Sequence, residues 1–141
     1  MLHDLPSVNQ LSVVITQATA PAFLLGAIVG LISVLINRLE RILDRSRWLN
    51  ANGTLALDLK ADLPRLEKRA RLINSSIRYA ICSGVSTIML VILAFMFAFV
   101  GSAHERGVAV LFILSVSLFG VSLAQFLREV QIALRRTDHR S

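Results

Sequence analysis

The chain has 141 residues, of which 55% are hydrophobic and 17% charged, with a mean hydropathy of +0.65 and a formal net charge of +6. A soluble domain is nearer half apolar and a quarter charged, so lipid rather than water is the expected solvent. The single cysteine, Cys82, excludes an intramolecular disulfide and a cysteine-based metal cluster.

From the N-terminus, Ser7 to Gln10 has the S-x-x-Q form of a capping box. Leu11, Val14, Ile15 and Ala18 follow at helical spacing, and Pro21 suits a first helical turn or a kink. Two arrangements fit residues 1–19: a separate amphipathic helix at the outer membrane interface, or a direct, kinked extension of the next segment. That segment, Ala20 to Ile36, is apolar and extends backward through residues 13–19. A span needs roughly 20 apolar residues to cross about 30 Å of hydrocarbon. Residues 1–19 hold no Lys or Arg, and a cleaved signal peptide carries a basic start. A retained first span is therefore expected.

Residues 37–50 place Leu39, Ile42, Leu43 and Leu49 at helical intervals among charges, which reads as the first span continuing beyond the membrane. Residues 51–54 are a turn signal, and Asp62-Leu63-Pro64 a helix start. Leu66, Ala70, Ile73 and Ile77 then run into a second apolar stretch, Tyr79 to Val100. Residues 37–78 thus predict a helical hairpin. Its ten basic and five acidic residues suit a solvated, salt-bridged face, with attraction of anionic lipids as the alternative. A turn at 101–107, a third span at 108–127 and a tail at 128–141 complete the chain. No span contains Lys, Arg, Asp or Glu.

The charge distribution gives an orientation. Residues 37–78 carry ten of the fifteen Lys and Arg, residues 128–141 four, and the 101–107 turn only Arg106. The positive-inside rule puts the hairpin and C-terminus in the cytoplasm, with the N-terminus and the 101–107 turn outside. The predicted architecture is all-α: an integral membrane protein with three transmembrane helices and a cytoplasmic hairpin extending spans 1 and 2.

Small and polar residues form stripes on each span, which allow close helix approach. Thr19, Ala22, Gly26, Gly30, Ser33 and Asn37 lie on one side of the first, with Gly26 and Gly30 making a GxxxG. Ser76, Ser83, Thr87, Ala94, Ala98 and Gly101 align on the second. The third carries a small stripe, Ser117, Gly120 and Ala124, and a polar one, Ser115, Ser122, Gln125 and Glu129. These faces are expected to be internal contacts of the bundle. The competing expectation is that the stripe ending at Gln125 and Glu129 lines a wet path between protomers. Two small faces on one helix also point to a homo-oligomer.

Catalytic patterns are absent. His3, His104 and His139 sit at predicted ends and turns, without metal-ligand spacing. Asp58 and Asp62 belong to the charged hairpin. No phosphate-binding loop, dinucleotide turn or nucleophile elbow occurs. Cys82, at the edge of the second span, is expected to be inert packing. No enzyme activity, cofactor or metal is expected. Nucleic acid is not an expected partner either, because the basic segments also carry acids and lack interleaved aromatics beyond Trp48.

Three segments, NRLERILDRSRWL at 37–49, KRARLINSSI at 68–77 and FLREVQIALR at 126–135, together with APAFLL at 20–25, resemble the bacterial family called domain of unknown function 2721. The resemblance implies a small multi-span protein of the bacterial inner membrane and supplies no catalytic residues. All three motifs fall at the predicted cytoplasmic ends of the spans. Asn37, Arg38, Arg41, Asp44 and Arg45 follow the first, Arg69, Arg71, Asn74 and Arg78 precede the second, and Arg128 and Glu129 end the third. These groups predict either a polar clasp tying three helix ends together or a charged vestibule that docks a partner. The functional expectation is a membrane scaffold or accessory subunit with a cytoplasmic protein partner. A homo-oligomeric ion channel or passive transport element is the alternative.

Overall fold

A computed structural model describes residues 8–51, 63–100 and 105–135. They form three helices: α1, Val8–Ala51 (44 residues); α2, Leu63–Val100 (38 residues); and α3, Glu105–Leu134 (30 residues). At 1.5 Å per residue these are about 66, 57 and 45 Å long, each more than the roughly 30 Å of a bilayer's hydrocarbon core. The protein is all-α, and all three helices are long and apolar enough to cross a membrane.

Several segment boundaries in the sequence reading give way to continuous helix. α1 runs unbroken from Val8 through Pro21 to Ala51, so residues 8–19 continue directly into the first apolar stretch. Pro21 lacks an N–H, which removes one bond from the ladder without ending it; its neighbours on both sides are helical. Ser7, which would cap the helix, lies outside the described residues, as do the turn at 52–54 and Asp58 and Asp62. α2 begins at Leu63 with Pro64 in its first turn, where the missing donor costs nothing. α3 already includes Glu105 to Gly107, assigned above to a turn, and continues to Leu134 through the first half of the expected tail. Arg135 closes its end by donating its N–H to the Gln131 carbonyl at 3.2 Å.

α2 is the central helix. α1 and α3 each pack along it and barely touch each other. The buried residues of all three helices recur every seven positions. On α1 the row is Pro21, Ile28, Leu35, Ile42 and Leu49, with Leu31 buried beside it. On α2 two such rows run side by side: Leu66, Ile73, Ala80 and Thr87, then Ser76, Ser83 and Leu90. On α3 the row is Ser115, Ser122 and Glu129. A seven-residue repeat keeps one seam of a helix against its partner only when the pair winds left-handedly. An apolar cluster joins Leu31, Leu35, Ile42 and Leu49 of α1 to Leu66 and Ile73 of α2, with Phe119 and Phe126 of α3 packed against it.

The rest of the apolar surface faces outward. Of the most apolar stretch in each helix, only 17%, 22% and 11% is buried. Phe23, Val29, Val85, Met96, Val110 and Ile113 are all more than half exposed. A monomeric soluble protein rarely leaves so broad an apolar belt uncovered.

Candidate functional site

The sequence motifs meet at Glu129. Its carboxylate is completely buried, and a buried carboxylate needs both charge compensation and hydrogen bonds. It receives both from the other two helices. Arg69 of α2 donates from Nε and Nη2 to Oε1 at 2.9 and 2.7 Å. Arg38 of α1 donates from Nη1 to Oε2 at 2.9 Å. Each carboxylate oxygen is therefore bound by a different helix, and the planar guanidinium of Arg69 uses two donors on one of them. The Arg38 guanidinium also lies over the Phe126 ring, 5.1 Å from its centroid, within cation–π range.

The local sequence explains this convergence. Arg38 stands two residues beyond Ile36, the end of the first apolar stretch, and Glu129 two beyond Leu127, the end of the third. α1 and α3 leave their apolar segments at matching points. Arg69 is in the same seven-residue row of α2 as Ser76 and Ser83, while Glu129 shares a row with Ser122 and Ser115. The pairs Arg69–Glu129, Ser76–Ser122 and Ser83–Ser115 are successive rungs of one antiparallel ladder.

The serine rungs are hydrogen-bonded between helices. Ser76 Oγ donates to the Ser122 carbonyl at 2.7 Å, Ser122 Oγ donates to the Ser76 carbonyl at 2.8 Å, and the two hydroxyls lie 2.9 Å apart. One rung further, Ser83 Oγ donates to the Ser115 carbonyl at 2.7 Å. The reciprocal bond is missing there. Thr87 Oγ1 donates to the Ser83 carbonyl at 2.8 Å instead, and Ser115 Oγ is buried without a partner, as is Gln125 Oε1.

Of the eleven residues expected at a clasp or vestibule, the structure joins Arg38, Arg69 and Glu129. Asn37, Arg41, Asp44, Arg45, Arg71, Asn74, Arg78 and Arg128 are exposed around them. Asp44 faces Arg47 at 3.9 Å on the surface of α1.

Among the residues expected at helix contacts or a pore, Ser83, Thr87, Ser115 and Ser122 are buried between α2 and α3, with Gln125 half-buried beside them. Within one chain the Ser115–Ser122–Glu129 row fills the contact between α2 and α3. Gly26, Gly30 and Ser33 are not internal contacts. They are exposed, a Cβ on either glycine would meet nothing within 4 Å, and Ser33 Oγ returns to the Val29 carbonyl. The packing face of α1 is its large aliphatic row, and the small stripe points away from it. Ser117, Gly120 and Ala124 of α3 are likewise exposed. Cys82, expected as packing, is exposed on α2. His3, His104 and His139 lie outside the described residues. Within those described, no group of three or more His, Cys, Asp or Glu is arranged to hold a metal ion.

Phe126 beneath Arg38, and the pairing of Ser76 with Ser122, had not been singled out. The seven-residue spacing shared by 69, 76, 83 and 115, 122, 129 was the available signal.

A family model described as Protein of unknown function (DUF2721) matches residues 18–139. The chain belongs to this family. The match contains Arg38, Arg69, Glu129 and both serine rungs. No curated protein and no solved structure gives a significant match.

Proposed function

We propose that this DUF2721 protein is a three-span protein of the bacterial inner membrane, with its N-terminus outside and C-terminus in the cytoplasm. In this reading it is a non-enzymatic scaffold or accessory subunit whose cytoplasmic hairpin docks a protein partner. The Arg38–Glu129–Arg69 junction is the observation that carries it. The junction ties all three helices together at the base of the basic segment. The part of α1 beyond Ile36 is about 22 Å long and is zipped to α2 through Ile42, Leu49, Leu66 and Ile73. A fixed base and a packed stem suit presentation of a surface. That surface carries mixed charges and an exposed aromatic, Trp48, 58% accessible. Tryptophan is over-represented among the residues that dominate protein interfaces.

The exposed apolar belt supports the membrane location, and the asymmetry of Lys and Arg supports the orientation. Reporter fusions at residue 52 and the C-terminus are expected to read cytoplasmic, and one at residue 104 external. For docking, a photo-crosslinking residue at Trp48 or Glu67 in cells is expected to capture one specific membrane complex, lost on Trp48→Ala in the full-length protein probed from Glu67. Crosslinks to lipid or to a second copy alone would overturn the scaffold reading.

A homo-oligomeric channel or passive transport element is the second reading. It draws on the exposed Gly26 and Gly30 of α1, the kind of surface that lets helices of neighbouring copies approach closely. Oligomers that persist in a native-like bilayer and conduct ions in liposomes would favour it. A monomer without flux would eliminate it.

A further inference from the structure

We propose that Arg38 is the centre of a binding site for the phosphate of an anionic phospholipid headgroup, on the open side of the bundle between α1 and α3. The proposal rests on the membrane reading above and adds a particular site to it.

Charge balance comes first. Two guanidinium groups share one buried carboxylate, so the junction keeps one positive charge in excess. Arg69 is the more enclosed, its side chain 23% exposed, and spends two donors on Glu129. Arg38 is 39% exposed and spends one, from Nη1. A guanidinium carries five N–H donors, and the others of Arg38 meet no acceptor among the described residues. The excess charge is therefore presented at Arg38, with unused donors.

Position comes second. α1 and α3 barely touch, and Arg38 reaches across the gap between them to Glu129 and over Phe126. It lies two residues past the apolar stretch of α1, at the depth where a headgroup would sit above its acyl chains. Arg41 and Arg45, three and seven residues on, continue the same face of α1, and Arg128 adjoins Glu129; all three are exposed. The nearby acids do not cancel this set. Asp44 is placed toward Arg47 at 3.9 Å, and Glu40, two residues from Arg38, points to another side of the helix. A basic recess between spanning helices on the cytoplasmic side is the form that recognises anionic headgroups. A phosphate oxygen accepts from guanidinium in the same planar geometry as a carboxylate, so lipid phosphate and Glu129 compete for Arg38.

That competition gives opposite signs for two variants. The purified full-length protein in nanodiscs of neutral phosphatidylcholine is titrated with phosphatidylglycerol and read by native mass spectrometry. Arg38→Gln is expected to weaken phosphatidylglycerol binding about fivefold. Glu129→Gln frees both guanidiniums and is expected to strengthen it by a similar factor. Arg38→Lys holds a charge toward Glu129 but lacks the planar fork, and is expected to fall in between. Arg47→Gln, further along the hairpin, is expected to leave binding unchanged. If Glu129→Gln is too unstable to isolate, the rise in melting temperature on adding phosphatidylglycerol to the wild type, smaller in Arg38→Lys, reads the same site.

Equal retention of phosphatidylglycerol and phosphatidylcholine would overturn the site while leaving the membrane reading intact. So would weaker binding in Glu129→Gln, or equally strong competition by inorganic phosphate. Failure of the wild type to enter neutral nanodiscs would overturn both.

Discussion

α2 is held in two chemically different ways. Toward α1 it presents Leu66 and Ile73 to Leu35, Ile42 and Leu49, a seam built of large aliphatic side chains. Toward α3 it presents Arg69, Ser76 and Ser83 to Glu129, Ser122 and Ser115, a seam of hydrogen bonds and ion pairs. On the membrane reading the two seams belong to two solvents. Most of the aliphatic seam lies in the hairpin, where water makes burial of apolar surface favourable. Most of the polar ladder lies among the apolar stretches, where lipid is as apolar as leucine and burial gives no drive. There, small side chains and interhelical hydrogen bonds must do what leucines do in water. The ion-paired rung stands where the two regimes meet.

The largest expected effect is at that meeting point. Arg69→Met removes two of the three hydrogen bonds to a carboxylate with no access to water. Breaking a buried pair from one side costs about 3–5 kcal/mol, so unfolding in mixed micelles titrated with denaturing detergent is expected to shift by that amount. A shift below about 1 kcal/mol, the size of an exposed pair, would mean the junction does not hold the helix ends. Next is Ile73→Ala, at a fully buried position of the aliphatic seam, expected to cost about 2–5 kcal/mol. Hydrogen exchange sharpens the assignment: protection should fall first in residues 37–51 and 63–73 and persist in the serine rungs. Loss of protection along all three helices at once would show one cooperative unit rather than two.

The polar ladder contains its own control. Ser122→Ala removes a hydroxyl bonded to the Ser76 backbone and beside the Ser76 hydroxyl. Ser115→Ala removes a buried hydroxyl with no partner. Interhelical hydrogen bonds in membrane proteins are worth about 0.6 kcal/mol on average and up to about 2. Ser122→Ala should therefore cost on that order. Ser115→Ala should cost nothing or stabilise slightly, since an unsatisfied buried polar group is itself a penalty. Similar costs at both positions would mean that the serines matter for their size rather than their bonds.

Helix type and number were legible from apolar length, and the three charged motifs were legible as a group at one end of the spans. The particular trio was less so. Arg41, Arg45, Arg71, Arg78 and Arg128 have the same side chain as the two arginines that reach Glu129; what separates them is helix phase, and Arg69 is in phase with Ser76 and Ser83 at a spacing of seven. The GxxxG of α1 marks no contact within the chain for a related reason. Small residues license close approach but do not require it, and here the aliphatic row Ile28, Leu35, Ile42 and Leu49 is the contact face. Pro21 was legible as a perturbation and not as a boundary, because one missing donor in a helix this long removes one bond and leaves the rest.

The smallest expected effect bears on what lies outside the chain. Gly30 is exposed, and a Cβ there would meet nothing within 4 Å. Gly30→Leu therefore has no clash within the monomer, and its helix propensity is better than glycine's by up to about 1 kcal/mol. The unfolding transition is expected to stay where it is or rise slightly, in contrast to Arg69→Met, Ile73→Ala and Ser122→Ala in the two seams. Self-association, measured by energy transfer between labelled copies diluted in a bilayer, separates the remaining possibilities. If it is unchanged, the stripe of α1 faces lipid and the third seam does not exist. If it falls while monomer stability holds, a seam between copies uses the small residues that neither internal seam needed, and it follows the same rule as the serine ladder, close approach in lipid rather than burial from water.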